Sequence, residues 1–146
     1  MDGIVTNAEN IISQINNGII PVSIFYIGLN ALITLILAIL VVKARVQTKT
    51  IIGDGGDEIM IRAMRAHGNN VEYVPLSLIV IAAVEMSAGP VWFIHVLGAG
   101  LTIARVAHAA GMHQTTGSSL GRLVGTITNN TVLLAGSLAC IYYGLS

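Results

Sequence analysis

A stripe of polar residues on one predicted helix is the part of the sequence best suited to chemistry. Four residues recur along it at i, i+3, i+7 and i+10: Arg62, Arg65, Asn69 and Glu72. Because an α-helix turns by about 100° per residue, these side chains fall within about 80° of one another. Two guanidinium groups, one amide and one carboxylate therefore share a single helix face.

Two later segments carry shorter polar faces with the same helical spacing. One face holds Arg105, His108 and Met112, and the other holds Arg122, Thr126 and Asn129. The three segments together bring four arginines to a single acid, Glu72. A cluster with surplus positive charge favours an anionic ligand, and the paired donors of arginine suit carboxylates in particular.

A structural role is the alternative interpretation of these charges. In that case Arg62 or Arg105 pairs with Glu72 and the pair holds the helices together. One such pair would leave the other arginines unexplained, so the surplus of cations favours the ligand.

The distribution of basic residues indicates an integral membrane protein. All seven Lys and Arg residues lie in two windows, 43–65 and 105–122, and the stretches between them are apolar. Charged residues make up 10% of the chain, whereas a soluble domain carries about 25%. By the positive-inside rule both basic loops face the cytoplasm, which places both termini outside. The lack of a basic stripe beyond these loops argues against nucleic-acid binding.

The sequence predicts an all-α, integral membrane four-helix bundle that forms one domain over residues 1–146. The predicted spans are 19–42, 58–87, 91–112 and 117–145. About 20 apolar residues cross a bilayer core of roughly 30 Å, so the first span is long enough, and no basic segment precedes it as in a signal peptide. The apolar part of the second span, 74–84, is too short to cross alone. That helix must therefore carry its polar stripe into the membrane on a face turned away from lipid.

Several remaining residues have structural explanations. Gly117, Gly121 and Gly125 are spaced for close approach between helices. His113 is expected in a loop, and Glu85 and His95 at the outer membrane interface. No spacing of His, Cys and acidic residues indicates a metal site.

Three segments also resemble those of a known family. The block Arg-x-x-Arg-Ala-x-x-Asn-x-x-Glu-Tyr-x-Pro at 62–75 resembles the second-helix signature of the membrane-associated proteins in eicosanoid and glutathione metabolism, the MAPEG family. The segment Ala-Arg-Val-Ala-His at 104–108 resembles the third helix of its prostaglandin E synthase branch. The segment Gly-Asp-Gly-Gly at 53–56 is similar to that of its bacterial inner-membrane members. The resemblance covers all four predicted spans in order.

The resemblance implies a homotrimer in a bacterial inner membrane, with glutathione bound between neighbouring protomers and open to the cytoplasm. By position, four residues correspond to family contacts with glutathione: Arg65, Asn69, Glu72 and Tyr73. His67 stands where some members use glutamine. The polar faces described above add Arg62, Arg105 and His108 to this candidate site. Glutathione offers two carboxylates for arginines and one ammonium for Glu72.

Three functions from different classes are compatible with these residues. As an enzyme, the protein would be a membrane glutathione transferase or peroxidase acting on a lipophilic electrophile. Arg122 matches the arginine that the family uses to activate the thiol, and Arg105 is the alternative for this catalytic role. As a non-catalytic membrane protein, it would bind an anionic lipid or metabolite in the same pocket. The third function is a small transporter with Glu72 as a proton-coupled site. The short length of the chain and its crowded arginines argue against transport.

Overall fold

Four α-helices make up nearly all of the described chain. The computed structural model describes residues 20–115 and 117–146. The helices are α1 (Pro21–Thr48), α2 (Glu58–Met86), α3 (Val91–Gln114) and α4 (Leu120–Leu145). The prediction of an all-α, integral membrane four-helix bundle is confirmed. Of these helices, α1, α3 and α4 are long and apolar enough to cross a membrane, while α2 carries the polar stripe.

The helix boundaries differ from the predicted spans mainly at the ends near the basic loops. The first helix continues beyond residue 42 to Thr48, and α3 continues beyond residue 112 to Gln114. The last helix begins at Leu120 rather than at residue 117. The predicted start of the first span, Ile19, lies outside the described residues. Hydropathy locates the apolar part of a helix, but backbone hydrogen bonds extend the helix into the polar region beside it.

Local chemistry accounts for where the helices start. Pro21 occupies the first turn of α1, where its missing N–H costs nothing. The Asp57 side chain accepts from the backbone N–H of Ile59 at 2.8 Å and caps α2. Ser119 likewise accepts from the N–H of Arg122 at 3.3 Å and caps α4. The cap on α4 sets the position from which Arg122 projects.

The bundle is arranged around α2 and α3. These two helices pack against each other, and α1 and α4 each pack on both of them from opposite sides. The largest buried cluster joins α2, α3 and α4: Val74, Ile81, Val84, Ile94, Leu97, Leu101 and Val132. Many other large apolar side chains are exposed on the helices, among them Ile36 and Ile79, as expected where lipid is the solvent.

Glycine allows α3 and α4 to approach closely. A Cβ at Gly121 would lie 2.6 Å from the carbonyl oxygen of Ala107, and one at Gly125 would lie 2.6 Å from that of Ala104. Contacts of that length are too short for a side chain, so both positions require glycine. The predicted packing role is confirmed for these two residues, whereas Gly117 lies in the loop before α4. This close approach brings the polar faces of the two helices together.

Glu85 ties the end of α2 to the start of α1. Its carboxylate oxygens accept from the backbone N–H groups of Val22 at 2.9 Å and Ser23 at 2.7 Å. These N–H groups belong to the first turn of α1, where no intrahelical acceptor exists and a negative charge is stabilising. The sequence predicts Glu85 at the outer interface, and the structure adds that its carboxylate caps α1 from the end of α2.

Candidate functional site

The centre of the candidate site is the guanidinium group of Arg105. The side chain extends from α3 and is 3% exposed. Its Nη1 atom donates to the side-chain oxygen of Asn69 at 2.9 Å and to the backbone oxygen of Asn69 at 3.4 Å. The guanidinium carbon also lies 5.9 Å from the centre of the Tyr73 ring, within cation–π range. Asn69 and Tyr73 are four residues apart on α2, so both reach the same point on α3.

A small polar cavity adjoins this arginine. Its volume is about 20 Å³, and its lining residues are Asn69, Tyr73, Arg105, Thr126, Asn129 and Asn130. The Nε atom of Arg105 and the Oδ1 atom of Asn129 are both buried and have no hydrogen-bond partner within the described chain. A buried donor on a cation and a buried amide oxygen are costly when unsatisfied. The cavity therefore has the polarity to hold a small polar group of a ligand.

A larger pocket lies beside the cavity, towards the start of α4. Its volume is about 260 Å³, and its lining residues are His108, Ser118, Ser119, Arg122, Leu123 and Thr126. Thr126 lines both the cavity and the pocket, so the two are neighbours. The Nη1 atom of Arg122 donates to the carbonyl oxygen of Gly117 in the loop before α4. Arg105, His108 and Arg122 thus contribute to adjoining polar spaces on one side of α3.

Arg65 and Glu72 occupy the outer surface of α2. Both side chains are exposed in the single protomer. They share this surface with Leu76, which is 54% exposed, and Ile79, which is 64% exposed. Charged groups next to apolar, lipid-type side chains are costly unless another surface covers them. The four helices of one chain therefore leave half of the predicted stripe uncovered.

Arg62 and His67 lie apart from the Arg105 cavity. Arg62 is 3.6 Å from Glu58 in an i,i+4 ion pair, and it lines a separate pocket with Lys43, Gln47 and His113. His67 is half-buried and precedes Asn69 by two residues, so it leaves α2 about 160° away from it. The alternative pairing of Arg62 or Arg105 with Glu72 does not occur within the described protomer, where Arg62 pairs with Glu58 and Arg105 donates to Asn69.

Sequence reasoning overlooked several contributors. Three residues that line the polar spaces are absent from the predicted site: Asn130, Ser118 and Ser119. The prediction that His113 lies in a loop is wrong, because it lies in the last turn of α3. The serines could have been found from the helix-start signal, since a serine before an apolar run often caps a helix. The helical period could have indicated Asn130, because it lies four residues after Thr126 and therefore about 40° from it around α4.

Comparison with known proteins places the chain in a family. The MAPEG family profile matches residues 23–142. The inner membrane protein YecN of Escherichia coli strain K12 is 36% identical over 93 residues, which cover 64% of this chain and 71% of that protein. YecN of Escherichia coli O6:H1 shows the same identity and coverage. No solved structure matches. The profile match spans most of the chain and includes the residues of α2, α3 and α4 described above, so this chain belongs to the MAPEG family.

Proposed function

We propose that the protein binds glutathione and joins it through its sulfur to lipophilic electrophiles, or uses two glutathione molecules to reduce a lipophilic peroxide to its alcohol and water, with glutathione disulfide as the other product. The observation that carries the proposal is the buried arginine. Arg105 is held by Asn69 and Tyr73 and lies beside a polar cavity within an otherwise apolar bundle. A buried cation with an unsatisfied donor favours a carboxylate-bearing ligand.

The remaining groups of glutathione match the other charged residues. The molecule carries two carboxylates, one ammonium and one thiol. Arg65 and Glu72 are exposed on the same side of α2, and neither forms an ion pair within residues 20–115 and 117–146, so they can receive a carboxylate and the ammonium. The ligand would then extend from the surface of α2 towards the cavity at Arg105.

Arg122 is the proposed activator of the thiol. A cation beside sulfur stabilises the thiolate, which is the reactive nucleophile. Arg122 lies in the first turn of α4 and lines the pocket of about 260 Å³ with His108. In the transfer, the thiolate sulfur forms a bond with the electrophilic carbon, and the group displaced from that carbon leaves with its bonding electrons.

Self-association is part of the proposal. Arg65 and Glu72 are exposed beside apolar side chains of α2, and a second protomer would remove them from lipid. We propose a homotrimer with these residues at the boundary between protomers. Native mass spectrometry in a mild detergent tests this, and a monomeric mass over the working concentration range contradicts it.

The proposed membrane arrangement has four passes. The loops at 49–57 and 115–119 face the cytoplasm of the bacterial cell, and both termini face outside. The support is the placement of every Lys and Arg close to these two loops. The relatives named inner membrane proteins agree with insertion into that membrane.

Calorimetric titration of the detergent-solubilised protein with glutathione tests the binding proposal. The parent should bind glutathione, and Arg105→Gln should bind it at least about tenfold more weakly, since a charge-assisted hydrogen bond contributes about 1.5–3 kcal/mol. Lys49→Gln, which removes an exposed cation outside the site, is the matched control. Equal affinities in the three proteins contradict the proposed pocket.

Binding without catalysis is the second candidate, and one contact favours it. Arg122 donates to the carbonyl of Gly117, which holds that guanidinium nitrogen against the loop before α4. A protein with this arrangement would bind an anionic lipid or metabolite and leave a thiol unactivated. Consumption of glutathione with an aryl halide distinguishes the two, because only a transferase accelerates it above the rate in protein-free detergent.

A further inference from the structure

An apolar groove runs between α1 and α3 on the side away from α4. Its volume is about 300 Å³, and its lining residues are Ile33, Ile36, Leu37, Leu40, Val106, Ala109, Ala110 and His113. All of them except His113 are apolar. Val106 is 54% and Ile36 is 57% exposed, so the groove is open at the surface of the protomer beside these two residues.

A basic pocket adjoins this groove at the end of the bundle that carries the basic loops. Its volume is about 230 Å³, and its lining residues are Leu40, Lys43, Ala44, Gln47, Ile59, Arg62, Ala63 and His113. Leu40 and His113 line both the groove and the pocket, so the apolar groove opens into the basic pocket. Two cations, one amide and one imidazole thus lie at the end of the apolar groove.

The balance of charge in the basic pocket is positive. Lys43 is exposed, and in the part of the chain that the structure describes Arg62 has one acidic partner, Glu58, at 3.6 Å. The Glu58 side chain is itself 70% exposed, so it neutralises Arg62 weakly. The nearby Arg45 is engaged elsewhere, since its Nη1 atom donates to the carbonyl of Ile51 at 2.8 Å. Lys43 and Arg62 are therefore the cations that face the pocket.

A second groove in the same protomer provides a contrast. It lies between α1 and α2, has a volume of about 360 Å³, and is lined by Ile27, Ala31, Thr34, Asn70, Val71, Val74, Pro75 and Leu78. None of these residues is charged. The two grooves are similarly apolar, and only the α1–α3 groove ends among cations.

We propose that the α1–α3 groove and its basic pocket bind one anionic phospholipid of the leaflet that faces the basic loops. The phosphate group lies between Lys43 and Arg62 with His113 beside it, and one acyl chain follows the groove between Ile36 and Val106. Phosphate is attracted to paired cations, and an acyl chain suits the apolar lining. The groove uses a different side of α3 from Arg105 and His108, so this site is separate from the proposed glutathione site.

Competition between two lipids tests the proposal. The purified protein is mixed with dioleoyl phosphatidylglycerol and dioleoyl phosphatidylcholine together at equal concentrations, and the amount of each lipid that it retains is measured by native mass spectrometry. The parent should retain phosphatidylglycerol preferentially. Lys43→Gln alone should reduce that preference about fivefold, because one cation near an anionic lipid raises its affinity by about that factor. The double variant with Arg62→Gln should reduce the preference further. Lys49→Gln should behave as the parent.

Filling the groove tests the acyl-chain half of the site. Ala109→Trp should reduce retention of phosphatidylglycerol, whereas Ala31→Trp, which fills the uncharged groove, should not. The helical circular dichroism signal of each variant verifies that it is folded. If a tryptophan variant does not fold, Lys43→Gln still tests the site, because Lys43 is exposed and its replacement does not disturb the core.

Three outcomes contradict the proposal. The first is equal retention of both lipids by the parent, and the second is unchanged preference in the double variant. The third is displacement of the bound lipid by glycerol phosphate at equal concentration together with no effect of Ala109→Trp, which would assign the pocket to a free phosphate instead. Glutathione affinity should be the same in Ala109→Trp as in the parent, so failure at either site is recognised separately.

Discussion

The guanidinium group of Arg105 on α3 donates a hydrogen bond to the side-chain oxygen of Asn69 on α2 across 2.9 Å. Its second contact is the backbone oxygen of the same residue at 3.4 Å. One amide residue thus binds the Nη1 atom of a buried cation, while the Nε atom of Arg105 has no partner within the described chain. Because Asn69 is neutral, the positive charge of Arg105 is held in place without being cancelled, and it stays available to an anionic ligand.

Removal of this contact should destabilise the bundle. Asn69→Ala leaves a buried guanidinium with fewer partners, so we expect the free energy of unfolding to fall by about 1.5–3 kcal/mol. Thermal or denaturant unfolding in detergent, followed by circular dichroism, measures this. Asn130→Ala is the matched control because Asn130 is exposed and lines the same cavity. Equal effects of the two substitutions would contradict a structural role for the Arg105–Asn69 contact.

Arg65 and Glu72 should contribute to glutathione binding although a single protomer leaves them exposed. Arg65→Ala should weaken binding by roughly ten- to a hundredfold, because a charge-assisted contact contributes about 1.5–3 kcal/mol. Glu72→Gln should weaken the binding of glutathione more than it weakens the binding of an analogue that lacks the glutamyl ammonium. Calorimetric titration of both variants measures these effects. Affinities equal to that of the parent would place the ligand elsewhere.

Glu85 should matter more to stability than its exposed counterpart at the other end of α2. Glu85→Ala removes an acceptor from two backbone N–H groups of α1, so we expect a loss of about 1–3 kcal/mol. Glu58→Ala removes an exposed carboxylate that pairs with Arg62 and lies in the first turn of α2, and it should lower stability less than Glu85→Ala. Unfolding of both variants in the same detergent gives the comparison. A Glu85→Ala variant as stable as Glu58→Ala would show that the cap contributes nothing.

The topology is testable by cysteine labelling in intact cells. In a Cys140→Ser background, Thr50→Cys should resist a membrane-impermeant maleimide, because the loop at 49–57 is proposed to be cytoplasmic. Ser87→Cys, in the connection between α2 and α3, should react. Cys140 is a suitable residue to replace because its thiol contacts the Val80 carbonyl at 3.5 Å and a serine retains a donor there. Reaction at residue 50 with protection at residue 87 would reverse the orientation.

Thiol activation separates the enzyme from the binding protein. With saturating glutathione, a transferase should hold the bound thiol as thiolate at a pH below the usual thiol pKa of about 8.5. Thiolate absorbance in the ultraviolet, titrated against pH, reports that pKa directly. Arg122→Ala should abolish the shift, while Lys49→Ala should leave it. Loss of the shift in Arg105→Ala instead would transfer the activating role to Arg105, and an unshifted thiol in the parent would contradict catalysis.

The sequence by itself determined the membrane class, the four helices and the helix on which the polar stripe lies. These properties depend on composition and on the periodicity of a single helix, both of which are local. The buried face formed by Arg105, His108 and Met112 was predictable for the same reason, as was the close approach at Gly121 and Gly125. The resemblance at 62–75 identified the family before any contact between helices was known.

Only the tertiary structure decided which polar residues meet. Arg105 contacts Asn69 rather than Glu72. Arg62 lines the basic pocket with Lys43 and not the cavity at Arg105. The Glu85 carboxylate caps a helix that begins more than sixty residues earlier in the chain. Such pairings depend on how the helices cross and on the height of each residue along its axis. Neither quantity can be obtained from the periodicity of one helix, because packing between helices sets both.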